Sequence, residues 1–80
     1  MGKNMSEIEW MEIFSDNLKD IMEERGYNQI TLAKDSGLSQ SSINQYLNKK
    51  RVPSIRAIIN MTYALGIDMS DFIDFGSRIE

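Results

Sequence analysis

Residues Asn28 to Pro53 read NQITLAKDSGLSQSSINQYLNKKRVP, and this stretch decides the fold. Gly37 stands between two short helical patterns and is expected to take a positive φ, which glycine adopts without steric cost. Leu38 is expected to fill the corner that follows. Ser39 stands where its hydroxyl can accept the backbone N–H three residues on. The second helix is therefore expected to start at about Gln40.

Two apolar sets predict a helix-turn-helix over about residues 29–47. The first of the two helices in this motif is expected to end by Ser36 and to bury Leu32 and Ala33. Because Ala33 is small, the two helices can cross closely. The second helix has an apolar stripe at spacings of three and four, formed by Ile43, Tyr46 and Leu47.

The open side of the second helix carries only uncharged polar side chains: Gln40, Ser41, Asn44 and Gln45. Residues 38–48 contain no charge, although exposed helix faces are usually rich in Lys and Glu. Amide side chains can bond two groups on one edge of a base at once, and Ser can bond several bases. The alternative is a polar surface helix without a partner. The turn before this helix and the basic run after it favour contact with DNA bases.

The stretch resembles the Cro and phage-repressor type of helix-turn-helix domain, also called the XRE family. The matching residues are Asn28-Gln29, Leu32-Ala33, Gly37-Leu38-Ser39, Ile43, Lys49-Lys50-Arg51 and Pro53-Ser54. The resemblance covers about residues 13–75 and implies a lambda-repressor-like fold. It also implies that Gln29 contacts a DNA phosphate and braces Gln40, the alternative being a simple exposed amide. The family often has Glu-x-Gly after the aromatic position. Here Asn48 or Lys49 must make that turn, and Asn tolerates it better.

The net charge of −3 is divided unevenly along the chain. Residues 1–27 carry three basic and seven acidic side chains, residues 28–56 carry five and one, and residues 57–80 carry one and four. Positive charge therefore collects in the segment of the predicted helix-turn-helix. The charge run could be a solvated loop, but its position favours phosphate contact. The expected phosphate-contacting residues are Gln29, Ser39, Asn48, Lys49, Lys50, Arg51 and Arg56.

A long first helix is expected from Trp10 to Arg25, where Gly26 ends it. Its apolar stripe consists of Trp10, Ile13, Phe14, Leu18, Ile21 and Met22. Residues 1–9 are expected to be a flexible segment. The scattered acidic residues of this helix are expected to face water.

Two further helices are expected after Pro53. Ser54 should cap a fourth helix that ends at Gly66. Its inward stripe is predicted to be Ile55, Ile58, Ile59, Thr62 and Leu65, with Met61 and Tyr63 nearer the edges. Asp68 should cap a short last helix that bears Met69, Phe72, Ile73 and Phe75. Of these, Phe72 and Met69 are expected to close the core. The sequence thus predicts an all-α, five-helix globule.

Composition limits the classes of function. Eighty residues form one domain, expected over residues 10–76 with a tail at 77–80. Since the chain has no Cys and no His, disulfides, thiolate metal sites and His-based catalysis are excluded. No enzyme constellation, cofactor or small-molecule ligand is evident. No membrane span or signal peptide is present, so a cytoplasmic protein is expected. Met1-Gly2-Lys3-Asn4-Met5-Ser6 matches the myristoylation pattern, interpreted as chance.

Apolar side chains near the C-terminus exceed what a short helix needs. The candidates for homodimerisation are Ile73, Phe75 and Ile79, and the alternative is a monomer with a loose tail.

Taken together, the sequence features are interpreted as those of a sequence-specific duplex DNA-binding protein, a prophage or bacterial transcriptional regulator of repressor type. A competing hypothesis is an antitoxin-like or regulatory interaction module that acts through the C-terminal apolar surface.

Overall fold

The computed structural model describes residues 6–73 as four α-helices and a closing 3-10 helix. In chain order these are α1 (Glu7–Arg25), α2 (Gln29–Ser36), α3 (Gln40–Leu47), α4 (Ile55–Leu65) and the 3-10 helix (Met69–Ile73). No strand occurs within this range. The all-α prediction is therefore confirmed, with a 3-10 helix as the fifth element in place of an α-helix.

The first helix begins three residues earlier than predicted, at Glu7 and not at Trp10. Ser6 Oγ accepts the backbone N–H of Glu9 at 3.1 Å, and the Glu9 carboxylate accepts the N–H of Ser6 at 2.9 Å. This reciprocal pair satisfies two backbone donors that the helix itself leaves free. Residues 6–9, which the sequence assigns to a flexible segment, are thus the cap and first turn of α1, and residues 1–5 lie outside the described range.

One hydrophobic core joins all five elements. Phe14 lies at its centre, with its ring 4.9 Å from the ring of Phe72 and 6.2 Å from that of Tyr46. Burying each large side chain of this kind contributes about 1.5–3 kcal/mol. The core residues are Phe14, Leu18, Met22, Leu32, Ile43, Tyr46, Ala57, Ile58, Met61, Leu65 and Phe72. The fold therefore places α3 against α1 with its apolar side inward.

The buried face of α4 differs from the predicted stripe. Ile55 is 70% exposed and Ile59 is 37% exposed, whereas Ala57 and Met61 are buried. Ile58, Thr62 and Leu65 are buried as predicted. Because α4 is apolar on more than one side, its periodicity alone does not decide which side faces the core. The positions of α1 and α2 decide it.

Three polar side chains tie the elements together. Ser15, on α1, donates its hydroxyl to the backbone carbonyl of Tyr46 at the end of α3. The buried Asn17 donates to the carbonyl of Phe72 at 2.7 Å. The Tyr27 hydroxyl lies 2.8 Å from the Asp35 carboxylate and 2.9 Å from the carbonyl of Ala64. These bonds connect α1 to α3, α1 to the 3-10 helix, and α2 to α4.

The closing 3-10 helix is held by Phe72 alone among its apolar residues. Phe72 is fully buried, but Met69 is exposed, so the expectation that Met69 closes the core is wrong. The Asp71 carboxylate accepts the backbone N–H of Asp68, which places the capping side chain inside the turn and not at Asp68. The tight 3-10 winding leaves room for one inward side chain in five residues. Ile73 is exposed, and Phe75 and Ile79 lie outside the described residues.

No helix within the described range is long and apolar enough to cross a membrane.

Candidate nucleic-acid interface

The turn between α2 and α3 has the predicted geometry. Gly37 has φ of 73°, in the left-handed region, and its N–H donates to the carbonyl of Ala33 at 3.0 Å. Ser39 Oγ accepts the N–H of Ser42 at 3.0 Å, which begins α3 at Gln40 as expected. The turn and the cap are thus fixed by two local features of the sequence.

The turn presents a polar face of α3 to solvent. Gln40, Ser41 and Asn44 are exposed, and Gln45 is half-buried. On the opposite side, Ile43 and Tyr46 are buried and Leu47 packs against the core. All four predicted base-contacting residues therefore lie outside the core on one short helix.

Gln29 is the first residue of α2 and reaches across to α3. Its Oε1 accepts a hydrogen bond from Asn44 Nδ2 at 3.3 Å. The predicted bracing of Gln40 is therefore corrected, since the contact is with Asn44, one turn further along. The amide of Gln29 thus contacts the second turn of the eight-residue helix α3 and not the first. Asn28 caps α2 through a reciprocal pair with Thr31.

The basic loop, which follows α3 and carries Lys49, Lys50 and Arg51, turns without glycine. Lys49 has φ of 60°, whereas Asn48 has φ of −94°, so the turn falls on Lys49. Of the two residues expected to make this turn, Lys49 makes it, although Asn tolerates a positive φ better, and the Asn48 side chain is used otherwise. Asn48 Nδ2 donates to the carbonyl of Asn44 at 2.9 Å and closes the end of α3.

The cations of the loop have different environments. Lys49 Nζ is 3.2 Å from a carboxylate oxygen of Asp16 on α1. Arg51 Nη1 donates to Ser42 Oγ at 3.0 Å and to Gln45 Oε1 at 3.4 Å. Lys50 and Arg56 are exposed. Of the predicted phosphate-contacting residues, Gln29 and Arg51 contact side chains of the polar face of α3, at Asn44 and Gln45.

Ser42 belongs to this surface and was not among the predicted site residues. Its Oγ lies 2.9 Å from Ser39 Oγ as well as 3.0 Å from Arg51 Nη1. Its position three residues after the cap is visible in the sequence. Its contact with Arg51 is not, because that contact depends on how the loop folds back.

Nothing in the described range suggests metal chemistry. Within it, no group of three or more acidic side chains is placed to hold a metal ion. Three predicted polar residues, Gln40, Ser41 and Asn44, are instead exposed side by side, and their amides and hydroxyl suit hydrogen bonding to a polar surface.

Comparison with known proteins gives the family. The family model HTH_3, described as helix-turn-helix, matches residues 18–72, well over half of the chain. That range contains α2, α3, α4 and most of the 3-10 helix. No match was found among curated proteins.

Several solved structures are similar. The restriction-modification controller protein C.AhdI from Aeromonas hydrophila is 27% identical with a TM-score of 0.74, over 78% of this chain and 94% of that chain. A hypothetical transcription factor, NHTF, from Neisseria is 19% identical with a TM-score of 0.78, over 92% and 85%. An HTH_3 family transcriptional regulator from Vibrio cholerae is 19% identical with a TM-score of 0.83, over 91% and 40%. The last two likenesses show the fold alone. The chain belongs to the HTH_3 family of helix-turn-helix proteins, and its helix-turn-helix is of the DNA-binding, transcription-regulator kind.

Proposed function

We propose that the protein is a sequence-specific regulator of transcription that inserts α3 into the major groove of duplex DNA. The observation that carries this proposal is the uncharged polar face of α3, exposed between a tight turn and a basic loop. An α-helix fits the major groove, where each base pair presents a distinct pattern of donors and acceptors. The likeness to a restriction-modification controller protein from Aeromonas hydrophila supports a bacterial regulator. We propose further that it is of bacterial or prophage type and acts as a repressor.

Base contacts are assigned to the polar face. Gln40, Ser41, Asn44 and Gln45 would bond base edges, and their lack of charge suits them to that role because charge attracts phosphate without regard to sequence. Asn44 is held by Gln29, so its side chain is positioned before DNA arrives. A good bidentate base contact contributes about 1–3 kcal/mol of discrimination.

Phosphate contacts are assigned to the residues around that face, and these would fix the register of the protein on the duplex. Lys50 and Arg56 are exposed and well suited to this role. Ser39 Oγ is already used in the cap of α3, so a phosphate at Ser39 would share that hydroxyl. The assigned set is Gln29, Ser39, Asn48, Lys49, Lys50, Arg51 and Arg56.

Selection of binding sites from a random duplex pool at about 0.1 M salt tests the proposal, because exposed charges are then screened beyond roughly 10 Å. The wild type should enrich a motif, and the double variant Gln40→Ala/Gln45→Ala should lose it. Lys50→Ala is the matched control, which should bind the same motif more weakly and flatten the salt dependence by about one unit of slope. Equal losses on the selected and random DNA in both variants would contradict the division of roles.

A homodimer is proposed as the DNA-binding form. Ile55, Ile59 and Tyr63 follow one another at intervals of four along α4, and Tyr63 is 84% exposed. Met69 and Ile73 of the 3-10 helix are also exposed. We propose that these apolar side chains make up one surface that a second copy covers. A two-fold dimer would place two α3 helices about 34 Å apart, one turn of DNA. An inverted repeat in the selected motif would support the dimer, and sedimentation of Tyr63→Ser should show a weaker one.

A second candidate function uses the same apolar surface. If the wild type enriches no motif at any accessible concentration, the interaction-module hypothesis gains support, with a protein partner on α4 and the 3-10 helix. The exposed Ile55, Tyr63 and Ile73 favour this alternative. If this alternative holds, substitutions on the polar face of α3 would leave binding of the protein partner unchanged, and Tyr63→Ser would abolish that binding.

A further inference from the structure

Arg51 leaves the basic loop and turns back onto α3. Its Nη1 donates to Ser42 Oγ at 3.0 Å and to Gln45 Oε1 at 3.4 Å. Its guanidinium carbon lies 5.9 Å from the centre of the Tyr46 ring. A cation in that position is attracted by the ring face. Three separate contacts therefore hold one guanidinium group against the helix that is proposed to read DNA.

We propose that Arg51 is a positioning residue that sets which hydrogen-bonding group Gln45 presents to a base. This rests on the proposed function and deepens it, since it assigns a specificity role to a residue otherwise expected to supply charge alone. Arg51 has N–H groups beyond the one that contacts α3, so holding Gln45 and attracting a phosphate are compatible.

The chemistry of the guanidinium fixes the orientation of the amide. A guanidinium carries five N–H donors and no acceptor. The Gln45 amide must therefore turn its oxygen towards Arg51, because the reversed amide would place N–H groups against N–H groups. The pair between Gln29 and Asn44 differs in this respect. Reversing both of those amides preserves their hydrogen bond, so that contact sets no preferred polarity.

The orientation of Gln45 has a consequence for base recognition. With Oε1 turned towards Arg51, the Nε2 donors are left to face the groove. Guanine presents two acceptors there, N7 and O6, whereas adenine presents one acceptor and one donor. Gln45 in this orientation therefore prefers guanine. Without Arg51, the amide is free to rotate and to bond adenine through both of its groups.

Two further features make the arrangement available before DNA binds. Ser42 lies one turn before Tyr46 on α3. The same helix therefore fixes the positions of these two other partners of Arg51. The backbone N–H of Lys50 also donates to the carbonyl of Gln45 at 2.9 Å, which holds the loop close to the end of the helix. Both contacts keep Arg51 near Gln45 when no ligand is present.

The first experiment compares selected motifs. The position read by Gln45 is identified as the one whose preference disappears in Gln45→Ala. In Arg51→Ala, the donor-only group beside Gln45 is lost, so the ratio of guanine to adenine at that position should fall about tenfold, and the loss of one charge should weaken binding as it does in Lys50→Ala. Lys50→Ala is the matched control, since it removes a neighbouring charge and keeps its backbone bond to Gln45. It should weaken binding with the motif unchanged. Thermal unfolding of each variant checks that the fold is intact.

The second experiment needs no DNA. Gln45 side-chain amide signals in the NMR spectrum of the free protein should shift in Arg51→Ala and stay in place in Lys50→Ala. Unchanged amide signals together with an unchanged motif in Arg51→Ala would overturn the inference and leave Arg51 as a phosphate contact only. If the wild type selects no motif, the proposed function fails. The amide signals then decide separately whether Arg51 orients Gln45.

Discussion

Lys49 Nζ lies 3.2 Å from a carboxylate oxygen of Asp16, so a cation of the basic loop is paired with the acidic first helix. Both side chains are close to half-exposed, at 41% for Lys49 and 49% for Asp16. An exposed pair of this kind stabilises a fold by about 0–1 kcal/mol at most. The carboxylate nevertheless competes with any phosphate for the same ammonium group.

Asp16→Asn should therefore strengthen DNA binding by a few-fold for all sequences, because it frees Lys49 and removes a nearby negative charge. Titration of a labelled duplex at several salt concentrations measures this. Glu23→Gln is the matched control, since it changes the net charge equally from an exposed position near the far end of α1. Equal gains in the two variants would mean that net charge, and not the pair with Lys49, limits binding.

Gly37→Val should destabilise the fold by about 2 kcal/mol, because a β-branched residue resists a φ of 73°. A Cβ at this position meets nothing within 4 Å, so the destabilisation would come from the backbone conformation and not from a clash. In a domain of this size the melting temperature should fall by roughly 10 °C. Gly37→Asn is the control, since Asn tolerates the left-handed region better. A similar melting temperature for Gly37→Val and the wild type would contradict this account.

Tyr27 should make stability depend on pH in the alkaline range. The hydrogen bond to the Asp35 carboxylate, followed by desolvation and the charge of Asp35, raises the pKa of Tyr27 above 10.0. The unfolded phenol therefore ionises first as pH rises, which stabilises the unfolded state. The contribution of Tyr27 is complete below about pH 10 and is lost as pH rises through the higher pKa of the folded protein.

Urea unfolding at pH 7 and above pH 10 measures this effect by comparison with Tyr27→Phe. The wild type should be more stable than Tyr27→Phe at pH 7, and the difference should shrink at alkaline pH. Tyr63→Phe is the control because Tyr63 is highly exposed. A difference between wild type and Tyr27→Phe that stays constant with pH would rule out the coupling to Asp35.

Asn17→Asp should destabilise the protein by about 1–3 kcal/mol. The buried Asn17 amide donates to the carbonyl of Phe72 at 2.7 Å, and a carboxylate cannot donate that bond. Thermal unfolding followed by circular dichroism measures the change. The half-buried Asn60 provides the comparison, since Asn60→Asp makes the same chemical change on another helix. Equal effects at the two positions would show that the bond to Phe72 contributes little.

The helix-turn-helix was predictable because its signals are local. Gly37 fixes the turn, and Ser39 caps α3 through an N–H only three residues away. Each of these requires knowledge of a few adjacent residues. The boundaries of α2 and α3 in the structure therefore agree with those expected from the sequence.

The features that the sequence did not predict depend on distant contacts or on a choice between equivalent faces. Ser15 and Asn17 are buried, and each donates to a backbone carbonyl that lies 31 or 55 residues further along the chain. Such distant partners are not visible in the local sequence. The exposed side of α4 also carries large apolar residues, so Ile55 and Met61 could not be distinguished by spacing. The contact of Arg51 with Gln45 follows from the turn at Lys49, a residue type that seldom takes a positive φ.

The hydrogen bond from Ser15 to the carbonyl of Tyr46 has a consequence for the energetics of association. An isolated helix of eight residues, the length of α3, is not stable in water. The bond from α1, with the buried Ile43 and Tyr46, keeps α3 helical in the absence of any ligand. Conformational entropy is thus lost when the domain folds and not when it meets a partner. The protein should therefore associate as a rigid body, with little change in helix content on binding.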